Sequence, residues 1–422
     1  MKTFIPPFLI LLISILIYTG CGDGKWEGQG PIQVVPTKTL PIQQQWKGTF
    51  DLGEGIFASN DFEGARMNGA VFSDDTVRIL INPENTPINS SPWYAFKIWA
   101  DVPQSVTLKL TYLDGYAHRY PPKTSLDGDN WETLDSSRMH AGPLKGEGDG
   151  RKLPDFIVMD LDLGPDTLWV AAQELLTSSD NISWIKALSQ TGYTTYDTIG
   201  YSREDRAIHL LKIGESNDQR MIFVLSRQHP PEVTGYLAMR AFVEMVASDH
   251  PTAQAFREQF NTYVVPMANP DGVDNGHWRH NAGGIDLNRD WQNLNQPEIR
   301  SIQQFLTNKV QQTGGRFYFG VDFHSTWEDI YYTIDTTQHG NFPGLIPTMI
   351  EQMALDLELD PNIRSSAADS SYVTSSKYFF YEFGAEALTY EIGDNTPREL
   401  LKRKGEVSAL KLMELLLKGD SE

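Results

Sequence analysis

The stretch Met221-Ile222-Phe223-Val224-Leu225 runs into Ser226-Arg227-Gln228-His229-Pro230-Pro231-Glu232. Beyond it Val233, Tyr236, Leu237, Ala241 and Met245 recur at helical spacing. The apolar run reads as a strand and the spaced residues as a helix face. Two prolines block a helix before Pro231, and proline is favoured at the first helical position. Glu232 is therefore expected to open a helix continuing through Met245. Apolar strands alternating with helical patterns recur from about Gln173 onward. That alternation predicts an α/β domain with a mostly parallel sheet.

Three further strand candidates end in polar clusters. Thr262-Tyr263-Val264-Val265 leads to Asn269-Pro270-Asp271-Gly272, Phe317–Val321 to Asp322-Phe323-His324-Ser325, and Ala387–Tyr390 to Glu391. Ligands of open α/β sheets bind at the carboxyl ends of strands. With His229 and Glu232 on one strand end and His324 on another, two imidazoles and one carboxylate are available. That set suits a catalytic zinc and leaves a fourth position for water. Glu391, beside such a metal, would act as general base for the water and then as acid for a leaving amine. The segment Gly276–Trp291 contains Arg279, Asn288 and Arg289. An arginine fork beside an amide is what bidentate carboxylate recognition needs, and a separate arginine can neutralise an oxyanion. His277 and His280 read as positioning or surface histidines, and His250 as exposed.

Upstream, from about Thr49 to Ala172, the signals are short and alternate with period two, as in Val77–Ile81, Trp93–Trp99 and Val106–Tyr112. These predict a smaller antiparallel β-sandwich over residues 46–173, preceding the α/β domain at 174–422. Lys145–Lys152 reads as a surface loop and Phe156–Leu163 as a plain strand. At the start, Lys2 precedes an apolar stretch from Phe8 to Tyr18, too short to span a bilayer. It ends in Thr19-Gly20-Cys21. Residues 1–21 thus read as a lipoprotein-type signal peptide, with Cys21 the lipidated residue. Residues 22–45 read as a tether. The expected location is outside the cytoplasm, on a bacterial cell envelope, with the membrane engaged only through that lipid anchor.

Composition sets the exclusions. The chain has 422 residues with 35 Lys+Arg and 55 Asp+Glu, so its net charge is −20. Nucleic-acid binding needs a basic face, which argues against such a partner. Cys21, the one cysteine, permits neither an internal disulfide nor a cysteine-based zinc site.

Together, His229-Pro-Pro-Glu232, Asn269-Pro-Asp-Gly272, Arg279, Asp286-Leu-Asn288-Arg289, Asp322-Phe-His324 and Tyr390-Glu391 stand in the order found in the zinc carboxypeptidases of the M14 type. The chain resembles that family from about residue 174 to 418. The resemblance implies an eight-stranded mixed sheet with helices on both faces. It also implies one Zn²⁺ per chain on His229, Glu232 and His324, with Glu391 as general base and acid. By the same likeness Arg279 is the oxyanion stabiliser, Asn288 and Arg289 hold the substrate's terminal carboxylate, and Tyr372 is the nearest candidate for the family's substrate-capping tyrosine. The β-domain placed upstream is similar to that of the cytosolic carboxypeptidases, which trim glutamates. Aligned on the strand ending at Glu391, Lys377 falls at the base of the pocket for the C-terminal side chain. A lysine there would favour Glu or Asp as the residue removed.

The expected activity is hydrolysis of the C-terminal bond of peptides by a zinc metallocarboxypeptidase. Two alternatives stay open at this point: a carboxypeptidase or amidase acting on peptidoglycan stem peptides, and a catalytically weak lipoprotein that binds glycan or protein.

Overall fold

The computed structural model describes residues 29, 32–146, 151–366 and 373–419. The predicted signal segment with Cys21, and Tyr372, lie outside the described residues.

An eight-stranded mixed sheet carries the C-terminal half. Its strand order is Thr194–Tyr201, Ala207–Ile213, Asn261–Val265, Arg220–Ser226, Arg316–Thr326, Glu386–Gly393, Ile330–Thr333, Ile363–Ser365. The four central strands, from Asn261–Val265 to Glu386–Gly393, run parallel, and the neighbours on either side join them antiparallel. The central strand Arg220–Ser226 is buried almost throughout, as its apolar run predicts. Alternation divides its side chains. Ile222 and Val224 pack with Tyr236, Met239 and Phe242 of the helix Val233–Val246. Met221, Phe223 and Leu225 pack on the opposite face with Ile299, Ile302 and Leu306 of the helix Pro297–Thr313. Helices therefore cover both faces, and the four polar clusters emerge together at the carboxyl ends of the parallel strands.

Close approach between helix and sheet depends on Gly235. A Cβ there would lie 2.3 Å from the His324 carbonyl oxygen. The helix behind Glu232 is thus pressed against the strand that bears His324. Glu232 is the residue immediately before the first helical turn, which fits the proline reading.

The N-terminal half contains a six-stranded and a five-stranded sheet. Their pairings are antiparallel except between Thr76–Ile81 and Gln104–Tyr112, which run parallel. Ile56, Phe96, Ile98 and Val170 of the first sheet share one apolar cluster with Val77, Ile79, Leu108 and Met159 of the second. Val233 and Trp278 of the α/β region belong to the same cluster. The two halves are consequently joined through continuous core.

Residues 32–45 correct the expectation of a tether. Thr37 is buried and bonded to Asp290, Gln296 Nε2 donates to the Thr37 carbonyl at 2.7 Å, and Leu40 N donates to the Gly283 carbonyl at 2.8 Å. This part of the segment is a strap across the 281–296 loop. Composition reported its turn residues but not their partners.

Replacing Gly235 by valine should destabilise the protein by about 1–3 kcal/mol, the usual cost of forcing atoms into a packed core. Thermal unfolding should show it, together with reduced zinc retention, because the clash falls on the backbone of His324.

Candidate metal centre and active site

The centre is assembled from strand ends. His229 follows the strand Arg220–Ser226 after a short turn. That turn is held by the next segment: Ala268 N donates to the Ser226 carbonyl and Asn269 N to that of Arg227, both at 3.1 Å. His324 projects from Arg316–Thr326, and Glu391 is paired with it in register on the neighbouring parallel strand. His229, Glu232 and His324 are all buried, and one ligand atom from each lies within 4.8 Å of the others.

Their hydrogen-bonding geometry defines which atoms face the shared point. His229 Nε2 lies 2.9 Å from Asp286 Oδ1, and His324 Nε2 lies 2.7 Å from Asp322 Oδ2. Carboxylates accept, so both Nε2 atoms carry the proton. In the neutral rings the Nδ1 atoms are then left with lone pairs. They lie 3.2 Å apart, and Glu232 contacts them at 2.8 and 2.7 Å. Two lone pairs and a carboxylate converging in a buried space repel one another unless a cation lies between them. The donor set therefore fits a metal ion, and the carboxylate behind each ring is the outer partner that metal-bound histidines typically require.

The charges respond accordingly. Positive charge on the protonated rings would do the same work as a cation: it outweighs the burial that opposes ionisation of Glu232 and holds that carboxyl below its ordinary range. Asp322 and Glu232 in turn outweigh burial to hold His324 well above the usual imidazole range. Asp286 is likewise buried yet held well below the usual range by Arg279 and His229. Glu391 goes the other way. Burial pushes its pKa up to about 7 against the pull of His324. Its Oε2 is buried and makes no hydrogen bond within the described residues.

A cavity of about 530 Å³ opens over this cluster. Its lining unites His229, Glu232, His324, Glu391, Arg279, Asn288 and Arg289, all singled out by the sequence. Arg279 Nε donates to Asp286 Oδ2 at 2.8 Å, so Asp286 bridges the arginine and His229. Asn288 accepts from Ser375 N at 3.0 Å, and Arg289 Nη1 donates to the Asn288 carbonyl at 2.7 Å.

Lys377 is placed differently from the expectation. It is 3% exposed on the helix Ser375–Phe383 and is absent from the cavity lining, whereas Thr374, Ser376 and Thr389 take that position. Helical rotation of about 100° between neighbours explains it, since a one-residue change of register turns a side chain from lining to core. His277 and His280 are buried and bonded to one another through His277 Nδ1 and the His280 carbonyl, so neither is a surface residue. His250 is exposed as expected.

Several site residues went unassigned in the sequence. Asp322 stands two before His324 on a strand and so faces the same side, a spacing that could have marked it as the outer partner. Asp286 is likewise two residues before Asn288 in a recognised motif. Arg119, Arg151 and Asn89–Ser91, by contrast, reach the lining from the N-terminal half, between 78 and 140 residues upstream of the nearest metal ligand, His229. Local pattern carries no signal for them.

This site, at the strand ends of a helix-covered mixed sheet, is that of a metallohydrolase with a His-Glu-His centre. The zinc carboxypeptidase family (M14 peptidases) matches residues 182–397, half of the chain, and the protein belongs to that family. Zinc is the family's metal, and the three converging ligands fit it. Among curated relatives, mouse (Mus musculus) cytosolic carboxypeptidase 6 is 30% identical over 145 residues, 32% of this chain and 27% of that protein. Zebrafish (Danio rerio) cytosolic carboxypeptidase 2 is 30% identical over 189 residues, 42% of this chain and 26% of that one. The match thus spans only about a quarter of these relatives' length. Among solved structures, a metallo-carboxypeptidase from Burkholderia cenocepacia has a TM-score of 0.69 at 17% identity, covering 86% of this chain and 100% of that one. A metallo-carboxypeptidase from Pseudomonas aeruginosa, solved with (2-guanidinoethylmercapto)succinic acid, has a TM-score of 0.66 at 19% identity, covering 86% and 99%. A likeness over 86% of the chain extends well beyond residues 182–397, so the shared fold includes the N-terminal β region.

Asp322→Asn should weaken zinc binding about 10–100-fold, the usual cost of losing an outer partner. Competition against a chromogenic chelator would measure it. Unchanged affinity would mean that Asp322 does not orient His324.

Proposed function

We propose that the protein is a zinc metallocarboxypeptidase that hydrolyses the C-terminal bond of peptides, with preference for an acidic C-terminal residue. The observation that carries the first part is the placement of Glu391 beside His324, in one cavity with the three metal ligands, Arg279 and Arg289. When bound, zinc would acidify a water and polarise the scissile carbonyl. The chain's own residues do the rest. Glu391, with a pKa of about 7, can take a proton from the attacking water and return it to the leaving amine near neutral pH. Arg279 is fixed by Asp286 and charged, and would stabilise the developing oxyanion. Arg289, braced on the Asn288 carbonyl, would hold the substrate's free carboxylate, with the Asn288 amide beside it.

Support for acidic specificity comes from the lining and no longer from Lys377. Among the described residues, Arg119, Arg151, Arg279 and Arg289 line the cavity beside Glu232 and Glu391, with Arg119 also paired to Asp394 and Arg279 to Asp286. Arg119 and Arg151 flank the Trp327 ring at 4.8 and 5.1 Å. The hydroxyls of Thr374, Ser376 and Thr389 line the cavity in place of an apolar floor. A substrate carboxylate would be better satisfied there than a leucine side chain.

Glu391→Gln should retain zinc and lose about 10²–10⁴-fold in kcat, the scale of general acid–base catalysis. Full activity in that variant, measured on a blocked dipeptide, would remove Glu391 from the mechanism.

Substrate choice is tested with peptides differing only at the C-terminus. Those ending in Glu should show higher kcat/KM than those ending in Leu or Lys, and amidation of the terminus should nearly abolish cleavage. Preference for Leu or Lys would discard the acidic specificity alone. Undiminished cleavage of the amide would discard exopeptidase action.

A further inference from the structure

Arg279 is carried by a turn, Gly276–His280, that has no regular secondary structure of its own. What holds it comes from the other half of the chain. Glu84 lies in the loop after the strand Thr76–Ile81 and is completely buried. Its carboxylate accepts three successive backbone N–H groups: Trp278 N at 2.8 Å, Arg279 N at 3.0 Å and His280 N at 2.7 Å. Its neighbours fasten the same turn. Arg66 Nε donates to the Gly276 carbonyl at 2.7 Å, and Asn85 Oδ1 meets His280 Nδ1 at 2.7 Å. Gly276 has φ +63°, and a Cβ on it would lie 2.4 Å from the Ala65 carbonyl, so the turn has no space to shift toward the β region.

We propose that Glu84 is a positioning residue for catalysis: it fixes the backbone at Arg279, and through the Arg279–Asp286–His229 chain it sets the oxyanion-binding arginine relative to the metal ligands. Three N–H groups on one buried carboxylate define position and orientation together, which a single hydrogen bond cannot do. The charge is compensated within the same cluster by Arg66, while burial pushes His277 and His280 below the ordinary imidazole range, toward their neutral forms. Burial opposes ionisation of Glu84, but its polar and charged surroundings, the N–H donors included, outweigh it and keep the carboxyl below its ordinary range. The role is distinct from stability of the β region, because all three donors belong to the α/β region and flank the one arginine.

This inference rests on the carboxypeptidase reading above, and the test separates the two. Glu84→Gln keeps the shape but presents an NH₂ group to at least one N–H donor. It should lower kcat about 10–100-fold, the cost of a small misplacement at the reacting centre, with zinc content retained and KM changed by less than about threefold. Amide hydrogen exchange at residues 278–280 should accelerate. The decisive measurement is a double-mutant cycle with Arg279→Lys. If Glu84 acts through Arg279, the double variant is little slower than Arg279→Lys alone, whereas a general structural role gives additive losses. If Glu84→Gln does not fold, Glu84→Asp, which keeps the charge and shortens the reach by one methylene, carries the same cycle. Unchanged kcat, or additive losses, in a wild type that cleaves the free peptide overturns the inference alone. A wild type that leaves the free peptide intact overturns the peptidase reading and this inference with it.

Discussion

Two imidazole Nδ1 atoms and the Glu232 carboxylate meet in a buried space where each would repel the others. The arrangement persists because Asp286 and Asp322 hold the far nitrogens of the two rings and so dictate the tautomers. Everything near the centre follows from this constraint. The sheet must bring two strand ends side by side, the helix after Glu232 must sit close enough to fix its carboxylate, and the carboxylates behind the rings need partners of their own. Gly235 satisfies the second demand. Gln228, Ser375 and Arg279 satisfy the third, since each bonds to Asp322 or Asp286.

The outer shell is where the two halves of the chain become one machine. Arg279 and Asn288 lie on a loop with little regular structure, and loops are positioned by what they pack against. Here the packing partner is the N-terminal region. The strap around Thr37 and Leu40 fastens residues 283–296, and Glu84, Arg66 and Asn85 fasten residues 276–284. Trp278 enters the apolar cluster of the β sheets outright. Arg119 and Arg151 continue the cavity wall from the same side. The β region is therefore a structural part of the active site, in line with a fold likeness to bacterial carboxypeptidases that covers both halves.

The sequence by itself determined the α/β class, the strand ends that bear chemistry, and the metal ligands with Glu391. These were legible because strand and helix periodicities are local, and because a parallel sheet collects its strand ends on one edge. The period-two strands of the N-terminal half were legible for the same reason, although the parallel pairing of Thr76–Ile81 with Gln104–Tyr112 was not, since pairing partners are set by contacts distant in sequence. Only the tertiary structure decided that residues 32–45 are a strap, that Lys377 is buried and absent from the cavity lining, and that Glu84 reaches the backbone of Arg279. Each depends on a contact across long sequence separation or on a rotation of one residue about a helix. Neither leaves a periodic trace in the chain, because the energy that selects it comes from burying and pairing specific groups once the whole fold has closed.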